Sequence, residues 1–151
     1  MDYDFKIQNK QVIPTLFIRQ TCAVAELPQM LQTSYGKIMQ YLETLKQYPQ
    51  DAPYALYHNM DMQALDVQAG FPVSKELPPQ EDIQYGEFPA GRYATGVFVG
   101  PYTEMEPFYN ALNHWLEEQG EKPAGPVFEW YFSPPDTPPE KIRTEVWFAL
   151  L

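Results

Sequence analysis

The chain has 151 residues, with 20 acidic and 10 basic side chains, which gives a formal net charge of −10 and a pI near 4.5. This length suits one compact domain, or one domain made of two fused halves. A hydrophobic share of 44%, with 15% aromatic residues, is enough for a core and argues against disorder. Because phosphate binding needs a basic face, the charge disfavours nucleic acid as a direct partner, and equally disfavours an anionic membrane surface.

Targeting signals and metal ligands are scarce in the sequence. The start has neither the basic nor the apolar region of a signal peptide, and no apolar run approaches the roughly 20 residues of a membrane span. Cys22 is the only cysteine, which excludes an internal disulfide and a cysteine-based zinc site. His58 and His114 are too few and too far apart to suggest a metal site. We therefore expect a cytoplasmic protein with no membrane association, no metal and no cofactor.

The first half of the chain contains strand and helix patterns. Residues 3–20 alternate between polar and apolar positions, which predicts a strand with Pro14 at an edge or bend. The spacing over 27–45 predicts a helix with Pro28 in its first turn. Its apolar stripe is Leu27, Leu31, Tyr35, Ile38, Leu42 and Leu45. Two short strands are predicted at 54–60 and 64–73. Residues 74–91 differ from this pattern, and their polar, proline-rich part at 74–82 is interpreted as a linker or crossing loop.

The second half repeats this order. We predict a strand over 92–99 and a turn at Gly100-Pro101-Tyr102. A capping box at Thr103-Glu104-Met105-Glu106 should start a helix that Gly120 ends. Strands at 127–132 and 144–150 follow. Strand, helix, strand, strand thus occurs twice, which indicates an α+β domain over 1–151 with repeated halves near 1–75 and 88–151.

The last two strands each carry a glutamate inside an apolar run. Alternation puts Glu129 and Tyr131 on one face of their strand, and Glu145 and Trp147 on one face of theirs. If the strands pair, the four side chains could converge into an aromatic box that attracts organic cations, or that supplies a general acid or base. The alternative is a pair of exposed acids on an ordinary sheet, and periodicity leaves both open because it does not fix register.

Four tyrosines are further candidates for the wall of a ligand cavity, since a tyrosine at a cavity edge can present its hydroxyl to a ligand. They are Tyr35, Tyr57, Tyr102 and Tyr109. The chain has no Gly-x-Gly-x-x-Gly motif, P-loop or Gly-x-Ser-x-Gly motif, which disfavours nucleotide binding and the chemistry of a nucleophile elbow.

The order of several short motifs resembles the GyrI-like effector-binding domain family, which also supplies the C-terminal drug-binding module of multidrug-responsive transcription regulators. The most specific match is the proline-rich approach to the last strand. The matching segments are Ser34-Tyr35-Gly36, Tyr41-Leu42, Tyr54-Ala55-Leu56-Tyr57-His58, Ala69-Gly70-Phe71-Pro72-Val73, Gly100-Pro101-Tyr102, Phe128-Glu129-Trp130-Tyr131 and Pro138-Pro139-Glu140-Lys141-Ile142-Arg143-Thr144-Glu145-Val146.

This resemblance implies a tandem pair of β-α-β-β units, similar to an SHS2 pair. They would form an antiparallel sheet with the helices on one side and a central ligand cleft. It also implies that the glutamate at Glu129 faces cationic, aromatic drugs, with Glu145 and the aromatic residue Trp147 beside it. Tyr35, Tyr57 and Tyr102 are the matches for tyrosines of the cleft wall. Since the segment before Pro14 is too short for a helix-turn-helix, we expect a standalone member.

Three functions remain open on these observations. The first is binding of hydrophobic, cationic or aromatic small molecules, for sensing or sequestration. The second is hydrolysis of cyclopropane-bearing toxins, with Glu129 or Glu145 as general base and Tyr102 or Tyr131 on the leaving group. The third is a protein-interaction module similar to a gyrase inhibitor, in which the acidic charge mimics nucleic acid.

Overall fold

The computed structural model describes residues 3–134 and 136–151 of the chain. They form two compact units, which we call the N-unit (residues 11–90) and the C-unit (residues 3–10 and 91–151). In the described residues, each unit is a four-stranded antiparallel sheet with one α-helix against one face. The predicted α+β class and the presence of one helix in each half are confirmed.

Besides three short 3-10 turns, the described residues contain eight strands and two α-helices. In chain order they are β1 (Lys6–Lys10), β2 (Ile13–Cys22), α1 (Leu27–Thr44), β3 (Tyr54–Tyr57), β4 (Leu65–Pro72), β5 (Gln84–Phe88), β6 (Gly91–Val99), α2 (Glu106–Gln119), β7 (Pro123–Tyr131) and β8 (Arg143–Leu150).

The N-unit has the strand order β3-β4-β2-β5. Helix α1 carries Pro28 in its first turn, as predicted, because a missing N–H is harmless there. Its apolar stripe buries Ile38 and Leu42 against Leu16 and Ile18 of β2. Because Leu16 is opposite Phe71 in the β2–β4 register, one face of this sheet belongs to the helix. The residues that alternate with these along each strand project to the opposite face of the sheet.

The C-unit has the strand order β1-β6-β8-β7. Helix α2 buries Phe108, Leu112 and Leu116 against residues that include Val146 and Phe148 of β8. Gly120 ends the helix in the left-handed conformation at φ 71°, which confirms the predicted stop. The C-unit sheet therefore has a helix face, marked by Val146 and Phe148, and an opposite face.

Three predicted details are wrong. Residues 3–20 form two strands, because β1 pairs with β6 while β2 pairs with β4 and β5. No strand is predicted within 74–91, yet β5 lies there, directly after the polar stretch 74–82. Thr103 forms no capping box, since the chain enters α2 through a 3-10 turn at Tyr102–Glu104 and the helix cap is Met105, without a side-chain bond. Neither helix is both long and apolar enough to cross a membrane in the part of the chain described.

Candidate functional site

Glu129 lies near the end of β7, on the helix face of the C-unit sheet. In the β7–β8 register Glu129 is opposite Val146, and Tyr131 is opposite Thr144. Directly opposed residues of an antiparallel pair project to the same face. Because Val146 belongs to the core under α2, the Glu129 carboxylate and the Tyr131 ring also lie on that side.

Two phenol groups hold the Glu129 carboxylate. The Tyr131 hydroxyl donates to Glu129 Oε1 at 2.8 Å, and the hydroxyl of Tyr109 on α2 donates to Glu129 Oε2. The Tyr109 ring stacks on Phe148, with 5.9 Å between centroids, so the donor from the helix is fixed by the core beneath it. All three members of this hydrogen-bonded group are half-buried. The carboxylate is thereby held in one orientation on a largely aromatic surface.

Tyr102 forms the rim of this group. Its ring packs edge-on against Tyr131, at 5.8 Å and 89°, while 51% of the residue stays exposed. Burial of part of the side chain raises the pKa of the Tyr102 phenol. The Glu129 carboxylate raises it further, and the Thr144 hydroxyl acts in the opposite direction. The negative charge of Glu129 thus makes the Tyr102 phenol harder to deprotonate.

We call Tyr102, Tyr109, Glu129 and Tyr131 the Glu129 site. A fixed carboxylate attracts a cation by charge, and the faces of the surrounding rings attract it through their quadrupoles. The same carboxylate can accept a proton from water, and a protonated phenol can donate one. The site can thus bind an organic cation or assist the addition of water to an electrophile.

The predicted convergence of Glu129 and Tyr131 with Glu145 and Trp147 is wrong. In the observed register Glu145 is opposite Trp130, and Trp147 is opposite Phe128. The second glutamate therefore lies on the face of the sheet away from α2. A shift of one residue in pairing exchanges the two faces, and alternation within a single strand contains no information about that shift.

Trp147 is the centre of an aromatic cluster on this opposite face. Its ring lies 4.8 Å from Trp130 and 5.5 Å from Tyr93, and its indole N–H donates to Glu145 Oε1 at 3.0 Å. The ammonium of Lys10 lies 4.4 Å from the centroid of the Trp147 ring. The sequence alone does not predict this contact, since nothing in the local pattern around Lys10 indicates that β1 pairs with β6.

The other two predicted tyrosines lie in the N-unit. Tyr35 projects from α1, donates to the Tyr54 carbonyl at 2.7 Å and packs against Phe71. Tyr57 is half-buried on β3, opposite Val67. Both are on the helix-covered side of the N-unit sheet. Their proposed contact with a ligand stays a prediction.

The opposite face of the N-unit sheet carries a chain of hydrogen-bonded polar side chains that is not predicted from the sequence. The Tyr54 hydroxyl is 2.7 Å from Thr15 Oγ1 and accepts from Gln68 Nε2 at 3.3 Å, while Gln68 Oε1 is 3.2 Å from His58 Nε2. Burial raises the pKa of Tyr54 well above its usual range. Nothing in the sequence around Thr15 or Gln68 distinguishes them from exposed strand residues. His58 therefore has a structural partner, and His114 pairs with Glu118 on the surface of α2.

A comparison with known protein families shows which family the chain belongs to. The model of the GyrI-like small-molecule binding domain matches residues 3–151. The chain belongs to the GyrI-like family. No curated protein matches this GyrI-like chain in sequence.

Several solved structures are similar to this GyrI-like chain in fold. The C-terminal domain of EcmrR is 19% identical, with a TM-score of 0.82 over 100% of this chain and 99% of that one. SAV2435 bound to tetraphenylphosphonium is 14% identical, with a TM-score of 0.67 over 100% and 94%. A hydrolase from Listeria innocua is 12% identical, with a TM-score of 0.71 over 97% and 91%. At these identities the likeness shows the fold alone.

The GyrI-like chain spans only part of one of these neighbours. It covers 57% of the EcmrR chain in a DNA complex, with a TM-score of 0.84 and 17% identity.

Proposed function

We propose that this GyrI-like domain binds organic cations with aromatic groups at the Glu129 site. The observation that carries the proposal is a half-buried carboxylate held by the hydroxyls of Tyr109 and Tyr131. Hydrogen bonds from phenol hydroxyls leave the negative charge on the carboxylate. A lipophilic cation can therefore gain charge attraction and ring contact together.

The neighbours support the class of ligand. SAV2435, which has this fold, is bound to tetraphenylphosphonium, a cation whose charge is surrounded by four phenyl rings. EcmrR combines the fold with DNA binding in a longer chain. On this proposal the domain acts as the small-molecule-sensing or sequestering part of such a system.

A pair of probes with matched shape tests the proposal. Tetraphenylphosphonium and tetraphenylborate have the same four-phenyl shape and opposite charges. We expect calorimetry to show binding of the cation in preference to the anion, and Glu129→Gln to weaken cation binding by at least about ten-fold, or 1.4 kcal/mol. Glu145→Gln removes the same charge from the opposite face of the same sheet and should leave that affinity unchanged. Equal affinity in wild type and Glu129→Gln would exclude the carboxylate from the site.

A second candidate function is hydrolysis of a strained, cyclopropane-bearing electrophile. Here Glu129 takes a proton from water, whose oxygen bonds to a ring carbon as the adjacent ring bond breaks. A phenol returns a proton to the leaving atom. Tyr102 suits this role by position, because its phenol lies at the exposed rim of the site with its ring against Tyr131. A hydrolase from Listeria innocua shares the fold.

Product analysis separates the two candidates. A hydrolase would convert a spirocyclopropane probe into a product that contains one added water, as measured by mass spectrometry. Glu129→Gln should abolish this turnover and Tyr102→Phe should slow it. Recovery of the intact probe from a tight complex supports the binder, and full turnover in both variants would remove these residues from the chemistry.

A further inference from the structure

Glu145 lines a pocket of its own on the opposite face of the C-unit sheet. The pocket has a volume of about 230 Å³, which is below the range for drug-sized ligands and suits a small molecule. Its polar lining comes from three neighbouring strands and the segment before β1. These residues are Asp4, Lys6, Gln8, Thr95, Arg143 and Glu145.

The side chains that line the pocket carry no net charge, whereas the chain as a whole is strongly acidic. Acids outnumber bases two to one in the whole sequence, yet the pocket has two of each. A simple anion would meet the carboxylates of Asp4 and Glu145, and a simple cation would meet Lys6 and Arg143. A molecule that carries both charges can place each one beside its opposite.

Arg143 and Glu145 are both available for a ligand. They lie two residues apart on β8, so their side chains leave the same face roughly 7 Å apart. In the described part of the chain, the Arg143 guanidinium forms no ion pair and packs 5.4 Å from the Phe132 ring. Glu145 uses Oε1 to accept from Trp147, and this bond fixes the carboxylate at the pocket. Val97, directly opposite Glu145 on β6, adds a small apolar wall.

We propose that this pocket binds a small dipolar molecule with an ammonium and a carboxylate group, the chemistry of a free α-amino acid. Arg143 binds the carboxylate and Glu145 binds the ammonium, while Lys6 and Asp4, which pair with each other at 3.6 Å, lie at the rim. Thr95 donates to Gln8 Oε1 at 3.2 Å, and this bond fixes the orientation of the Gln8 amide group in the pocket. This inference does not depend on the Glu129 site, which lies on the other face of the sheet.

The indole N–H of Trp147 supplies a reporter at the pocket, because it donates to Glu145. The chain has three tryptophans, so its indole signals in a ¹⁵N-labelled sample are few, and Trp147→Phe assigns the relevant one. Titration with L-serine should shift the Trp147 signal saturably. Acetate and ethylammonium, which each carry one of the two charges, should give no saturable shift at the same concentrations.

Arg143→Gln is the decisive variant, since it removes the guanidinium that binds the ligand carboxylate and leaves the Trp147–Glu145 hydrogen bond intact. We expect it to weaken L-serine binding at least about ten-fold. Lys141→Gln removes the same charge two residues earlier, at an exposed position outside the pocket, and should change nothing. The proposal is overturned if L-serine gives no saturable shift, if acetate or ethylammonium binds equally well, or if Arg143→Gln binds L-serine as the wild type does.

Discussion

A carboxylate that is half-buried among aromatic rings must have donors for its oxygens, because an uncompensated charge in such a place is costly. Tyr109 and Tyr131 meet this requirement for Glu129 with phenol hydroxyls. The charge itself is therefore preserved, and it acts on other groups nearby. Tyr102 reports this effect, since its phenol loses a proton less readily beside a negative charge.

Glu129→Gln should consequently lower the pKa of Tyr102. The pKa should stay above its ordinary value of 10.0, because burial is the larger cause of the shift and is unchanged. The titration can be followed by NMR of ring-labelled tyrosine, with Tyr102→Phe to assign the signal. Glu118→Gln, an exposed position on α2 whose side chain pairs with His114, is the control. A Tyr102 pKa that does not move in Glu129→Gln would contradict the electrostatic link.

Lys10 provides a second test at the residue scale. Its ammonium lies on the ring of Trp147, which is only 9% exposed and has aromatic neighbours on its other sides. Lys10→Met keeps an apolar stem and removes the cation, so we expect a loss of about 0.5–1 kcal/mol in the free energy of unfolding.

Urea denaturation of Lys10→Met beside Lys6→Met would measure this contribution. Lys6 forms an exposed ion pair with Asp4, at 3.6 Å, and its removal should cost almost nothing. Equal losses in the two variants would mean that the ring contact adds no stability.

At the scale of elements, two glycines have opposite roles in the two helices. Gly36 lies in the interior of α1, is exposed, and has open space where a Cβ would go. Gly120 ends α2 at φ 71°, also with open space around it. Any difference between alanine variants at these sites must therefore come from the backbone and not from crowding.

Gly36→Ala should stabilise the protein by about 0.5–1 kcal/mol, because alanine loses less backbone entropy in a helix. Gly120→Ala should destabilise it by about 1–2 kcal/mol, since an L-residue is strained in the left-handed region. Thermal unfolding of both variants measures the two changes. Shifts of the same sign would contradict the assigned helix boundaries.

The helices were predictable because their signals are local. Pro28 and Gly120 identify a first turn and a last turn from chemistry at one position. Strand pairing was not predictable in the same way. Glu129 and Glu145 each follow the alternation of their own strand, but only the register of β7 with β8 separates them onto two faces. Lys10 is a similar case, since its contact with Trp147 depends on the pairing of β1 with β6, in which Lys10 is opposite Gly91.

At the scale of the whole molecule, the net charge of −10 produces a negative potential that extends beyond any one site. This potential attracts every cation and repels every anion, whether or not the Glu129 site exists. A preference for tetraphenylphosphonium over tetraphenylborate therefore has two sources, one general and one local. Salt separates them, because the screening length falls from about 10 Å at 0.1 M to about 3 Å at 1 M.

In about 1 M sodium chloride, screening should remove most of the general attraction, while a ligand cation in contact with the half-buried carboxylate is screened much less. We expect wild type to prefer the cation at both salt concentrations. Glu129→Gln removes only one of 20 acids, so it should keep a weak preference at low salt and lose it at high salt. Calorimetry with both probes measures this. If the wild-type preference also disappears at high salt, the selectivity belongs to the net charge of the chain and the Glu129 site has no part in it.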